Sequence, residues 1–188
     1  MKKQLLIGTV LSLISTAVYA HPGHTGHGFL TGFTHPFSGI DHLLVMLAIG
    51  LWAGKIGGAA RWQLPLTFVL IMAISAMFGV AVLPSLEAGV AASVMAMGLL
   101  LAISLPINRA VQLSLTAIFA MFHGFAHGAE LSFEGGAQVV LGMVLATALL
   151  HSAGLLLASQ RVKISQRIHA AFGWLTFLAG GYMLLAIS

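Results

Sequence analysis

Six long apolar runs follow one another from residue 28 onward, at about 28–53, 65–84, 87–105, 109–131, 136–158 and 169–187. Each is near the ~20 residues an α-helix needs to cross the hydrocarbon core of a bilayer. The interruptions carry turn-forming residues: Gly54, Gly57 and Gly58; Pro84-Ser85; Pro106-Ile107-Asn108; Gly135-Gly136; and the polar run from Ser159 to Gln166. No linker is long enough to divide domains, so the pattern predicts one helical bundle. A shorter apolar run, Leu5 to Ile14, sits behind Lys2 and Lys3 and ahead of Val18-Tyr19-Ala20. A charged leader, an apolar stretch and small residues at a cleavage point read as a secretory signal peptide. The expectation is an all-α integral membrane protein: a signal peptide at 1–20, then a six-helix transmembrane domain at 21–188.

Composition agrees. Hydrophobic residues make up 59% of the 188 positions and charged residues 6%, with a mean hydropathy of +1.03. A soluble domain carries about 25% charged residues, so a soluble globular class is excluded. The formal charge is +4, but its placement speaks for topology, not for a nucleic-acid partner. Lys55 and Arg61 follow the first run, Arg109 follows the third, and Arg161, Lys163 and Arg167 follow the fifth. The opposite loops hold no Lys or Arg, only Glu87 and Glu134 near their edges. The positive-inside rule then puts the loops after runs one, three and five in the cytoplasm and both mature termini outside, in the periplasm of a bacterial inner-membrane protein. Runs one and four both carry polar motifs, and each begins a set of three. That division is compatible with a 3+3 inverted repeat, an arrangement transporters build around a midplane site.

The polar motifs are unusual for their depth. His35-Pro36-Phe37-Ser38-Gly39-Ile40-Asp41-His42 lies in the first run and His123-Gly124-Phe125-Ala126-His127-Gly128-Ala129-Glu130 in the fourth. Ionisable side chains inside a membrane are costly and mark sites or pathways. Imidazole and carboxylate donors, with no cysteine anywhere in the chain, suit a borderline divalent metal and exclude thiolate or iron–sulfur chemistry. His123, His127 and Glu130, spaced i, i+4, i+7, share one helix face. His35 and His42 share a face only if their helix is regular; Pro36 and Gly39 argue for a kink. A kink would bring Asp41 toward the same centre, or Asp41 would orient a ligating imidazole on another helix. On straight helices rising about 1.5 Å per residue, His35 and His123 would sit roughly 10 Å in from the outer face, and His42 and His151 roughly 20 Å in. His21, His24 and His27, in a glycine-rich leader, would collect metal at the outer mouth. His151 stands alone in the fifth run, equally a ligand or a structural histidine. His169, beside Arg167, reads as interfacial, and the methionines, Met46 and Met72 among them, as packing.

With those motifs in view, the chain resembles the HupE/UreJ family of hydrogenase- and urease-accessory membrane proteins. The family pattern of a histidine, five residues, then Asp-His is matched by His35, Asp41 and His42, and its second motif by Phe122 to Glu130. The resemblance implies uptake of Ni²⁺, or in some members Co²⁺, into the cytoplasm to supply metalloenzymes. The residues themselves would equally accept Zn²⁺. No organic cofactor is expected, and no Walker A motif is present to hydrolyse ATP. The membrane potential would supply the drive, about 4.6 kcal/mol per 100 mV for two charges. The competing readings are a metal sensor or donor that binds without transporting, and a bis-histidine haem protein or membrane metalloenzyme.

Overall fold

The computed structural model describes residues 28–78, 84–103, 105–130, 136–159 and 166–187. The expected signal peptide, His21, His24, His27, Glu134, Arg161 and Lys163 lie outside the described residues. Within them the chain is helical throughout, with no strand: α1 (Phe29–Ser38), α2 (Ile40–Ile56), α3 (Ala60–Met77), α4 (Pro84–Ile103), α5 (Arg109–Glu130), α6 (Ala137–Leu157) and α7 (Gln166–Ile187). Helices α3 to α7 are each long and apolar enough to cross a membrane, and α1 with α2 passes the same test only as a pair, bent by 85° at the break between them.

That bend falls where Pro36 and Gly39 argued for a kink within the run over 28–53. Its cause is local. Pro36, in the last turn of α1, lacks the N–H that would continue the hydrogen-bond ladder. Gly39 then adopts an extended conformation, φ −97° and ψ 124°. The Ser38 hydroxyl donates to the His35 carbonyl at 2.6 Å, satisfying an acceptor that the ending helix would leave open. The Leu43 amide donates to the Gly39 carbonyl at 3.0 Å, which starts α2.

Three helix pairs make the frame, and each crosses at glycine. Helices α2 and α6 run parallel, with Gly50 under the His151 carbonyl and Gly154 under the Leu47 carbonyl. Helices α3 and α5 also run parallel, with Gly124 against the Met72 carbonyl and Gly128 against the Ala76 carbonyl. Helices α4 and α7 run antiparallel, joined where Gly98, Gly173 and Gly180 meet the backbone of the opposite helix. Lipid is as apolar as leucine, so burial gives no drive between helices in a membrane; close backbone approach at small residues supplies the packing instead. The enclosed interior is built from Val45, Met46, Ile49, Leu64, Phe68, Met72, Met97, Leu101 and Met143, while Leu66, Leu70, Leu175 and Leu178 face outward. Lys55 donates to the Leu101 carbonyl at 3.0 Å, tying α2 to α4 at the end opposite the histidine motifs.

The two adjacent glycines of α7 separate close packing from mere flexibility. A Cβ on Gly180 would run into the Met95 backbone, whereas on Gly181 it would meet only the Met95 sulfur at 3.8 Å. Gly180→Ala should therefore destabilise the protein by roughly 1–3 kcal/mol, the usual cost of overpacking, and Gly181→Ala should be near neutral. Thermal unfolding of the two variants in detergent checks this.

Candidate metal centre

The bend at Gly39 decides where the site forms. Folding α1 back across the start of α2 puts the His35 and His42 rings 5.7 Å apart, and both meet α5. His35 lies 4.9 Å from His127 between ring centroids. His42 lies 4.4 Å from His127 and 5.2 Å from His123. The His35 Nε2–H donates to Glu130 Oε2 at 2.9 Å. His35, His42, His127 and Glu130 each offer a ligand atom, and those four atoms all lie within 4.8 Å of one another.

This arrangement replaces the two-layer depth expected from straight helices. His35 pairs with Glu130 and His127, not with His123, and His42 joins the same cluster instead of a deeper one. The straight-helix ruler failed because an 85° break resets depth at residue 39. His151 alone among these histidines stands apart. Its ring contacts Phe68, whose ring centroid lies 5.2 Å from His151 and 5.7 Å from His123.

The buried imidazoles are set in defined tautomers with free nitrogens. The His42 Nδ1–H donates to Asp41 Oδ1 at 2.8 Å, and the His123 Nδ1–H to the Phe119 carbonyl at 2.9 Å. In each ring the opposite nitrogen, Nε2, is buried and finds no partner among the described residues. Both nitrogens of His127, which is fully enclosed, are likewise without one. Several lone pairs are thus held out of water and aimed into one space, a costly state for polar atoms. A metal ion would relieve it, and the carboxylate or carbonyl on the far side of a ring is the usual device for orienting such a ligand. Asp41 does this for its own neighbour, not for an imidazole on another helix. Gly39 makes room: a Cβ there would stand 2.6 Å from Asp41 Oδ1 and 2.8 Å from His42 Nδ1. The donor set of nitrogen and oxygen fits Ni²⁺, Co²⁺ or Zn²⁺.

The cluster is reachable. A cavity of about 290 Å³ is lined by His35, Ser38, Gly39, Asp41, His42 and Glu130. It adjoins a wider one of about 460 Å³ between α2, α4, α5 and α7, which also touches Asp41 and Glu130 and adds Glu87, Leu86, Val90 and Tyr182. Sequence reasoning missed one neighbour of the site, Phe68, and, away from the site, the burial of His169. Phe68 looked like any aromatic residue of an apolar run. His169 looked interfacial beside Arg167, yet it is buried and lines a small cavity with Leu47, Leu51 and Phe172.

Comparison with known proteins agrees with the motifs. Residues 9–183 match the family model described as HupE / UreJ protein. Protein HupE of Rhizobium leguminosarum bv. viciae is 37% identical over 190 residues, covering 98% of this chain and 100% of the relative. No solved structure matches.

If Asp41 orients His42 for a metal, Asp41→Asn should weaken Ni²⁺ binding about 10- to 100-fold, the usual effect of losing such a partner, without unfolding the protein. Calorimetric titration of the purified chain reads this directly.

Proposed function

The chain belongs to the HupE / UreJ family, and from that premise we propose that it is a secondary permease carrying Ni²⁺, with Co²⁺ as an alternative cargo, into the cytoplasm for metalloenzyme maturation. The observation that carries the proposal is the cluster of His35, His42, His127 and Glu130, set between membrane-crossing helices and open to a cavity. In this reading the metal is cargo. Glu130 and His35 receive it, exchanging their mutual hydrogen bond for coordination. His42, His127 and His123 take it further in as it sheds water, with the lone pairs of His42 and His123 already oriented by Asp41 and the Phe119 carbonyl. Segment 21–27, through His21, His24 and His27, supplies metal to this mouth, and a cleaved signal peptide leaves that segment in the periplasm.

Sidedness follows from charge. Lys55, Arg61, Arg109 and Arg167 belong to the ends of α2, α3, α5 and α7 away from the cluster, so the positive-inside rule turns the cluster outward. An inside-negative potential then draws a divalent ion from the cluster toward the basic end. A 3+3 inverted repeat is part of the proposal. Exchanging the first three spans for the last three maps the α2/α6 pair onto α5/α3 and the α4/α7 pair onto itself, and each of these pairs packs at glycine.

A binding-only role as sensor or donor gains support from one observation: the outer donors gather in one place instead of being spread over two depths. A haem role does not, since imidazoles in contact at 4.4 to 5.7 Å leave no slot for a porphyrin plane.

The test is uptake of radioactive nickel by cells making the intact chain, His42→Ala or His127→Ala at equal membrane levels. Each substitution should reduce uptake to background, with nickel outcompeting the label better than zinc; binding without uptake in the unaltered chain would favour a sensor or donor. Uptake should also fall as external pH drops from about 7 to about 5. The sign follows because imidazole and carboxylate must be deprotonated to bind metal, so protons compete.

A further inference from the structure

Beyond the outer cluster, a second group of donors sits in the core. Phe68 and Met72 are one turn apart on α3, and Thr147 and His151 are one turn apart on α6, so each pair lies on one helix face. Phe68, Met72 and Thr147 are fully enclosed, and His151 is 1% exposed. Neither ring nitrogen of His151 finds a partner among the described residues.

The behaviour of Thr147 is the second sign. Thr116 and Thr176 give their hydroxyl protons to carbonyls of their own helix, at 2.8 and 2.9 Å, as buried threonines in helices do. The Thr147 hydroxyl instead points across the interface to the Met72 sulfur at 3.8 Å. Imidazole, hydroxyl and thioether thus share the region where α3 meets α6. The Phe68 ring stands edge-on to His151, at 88°, and tilted at 57° to His123. The ring therefore lies between His151 and His123, which in turn touches His42 of the outer cluster.

We propose that His151, Thr147 and Met72 form an inner transfer site for a borderline divalent transition-metal ion, and that the Phe68 ring is the barrier an ion crosses to reach it from the outer cluster. The inference deepens the permease reading and rests on it for the direction of travel. Its chemistry favours transition metals over Mg²⁺ and Ca²⁺. Those hard ions take oxygen ligands and gain little from an imidazole and a thioether, which suit softer cations. An aromatic face in the path would also keep the two sites from merging into a continuous wet channel, so ions would pass one at a time when the ring rotates.

Because the chain contains no cysteine, any sulfur bound to nickel must come from methionine. X-ray absorption at the nickel edge on the purified full chain, loaded stepwise with Ni²⁺ alone, reads this directly. The expected result is a nitrogen and oxygen shell for the first equivalent and a sulfur scatterer appearing with the second. Met72→Leu, a volume-conserving change, should remove the sulfur signal. His151→Phe should lose the second equivalent and keep the first. In Phe68→Ala the second equivalent should fill about tenfold faster, as expected if removing the ring takes away a small barrier. A shell of nitrogen and oxygen alone at every loading, or sulfur persisting in Met72→Leu, overturns the inner site; an unchanged filling rate in Phe68→Ala overturns the barrier. Nickel uptake by cells making the unaltered chain, measured alongside, separates the two readings. A sulfur-bearing second site in a chain that imports no nickel would sink the permease and leave the inner site standing.

Discussion

Water is missing from the hydrocarbon core of a bilayer, and every polar atom placed there must find its partner inside the protein. The helices meet this demand for their backbones. The buried imidazoles do not: among the described residues, Nε2 of His42 and His123 and both nitrogens of His127 and His151 find no partner. A stable protein keeps such atoms in an apolar interior only when something else meets the cost, and in the proposed function a divalent ion shared among neighbouring rings would do so.

Two features of the backbone shape that interior. Glycines at the three helix crossings draw α2 to α6, α3 to α5 and α4 to α7 close enough that rings on different helices touch. The break at Gly39 turns α1 across the end of α2 and delivers His35 to a cluster it could not reach from a straight helix. Gly39 serves twice, since the same missing Cβ leaves room for the Asp41–His42 hydrogen bond. Backbone geometry and ligand orientation are therefore coupled at one residue.

Much of this was legible in the chain itself. The six apolar runs correspond to five helices long and apolar enough to cross a membrane and one bent pair, because the length of an apolar run is set by the membrane and not by tertiary contacts. The i, i+4, i+7 face of His123, His127 and Glu130 was readable because α5 is regular. Depth was not readable for His35 and His42: Pro36 and Gly39 announced a kink, but neither tells the angle, and the angle decides which histidines meet. Phe68 and Met72 were invisible as anything but packing, since an apolar run offers no contrast against which an aromatic ring or a thioether stands out. His169 misled because its neighbour Arg167 implied water, while the packing of α7 turned the imidazole inward.

The most direct test of the central claim uses the purified full chain in sealed proteoliposomes with no other protein present. A potassium diffusion potential, negative inside, is imposed and nickel accumulation is followed with a trapped indicator. The account predicts that nickel enters only when the potential is applied, and that entry ceases in His127→Ala although the protein remains folded and inserted. Equal nickel permeability with and without the protein, under the same potential and with nickel binding intact, would contradict it.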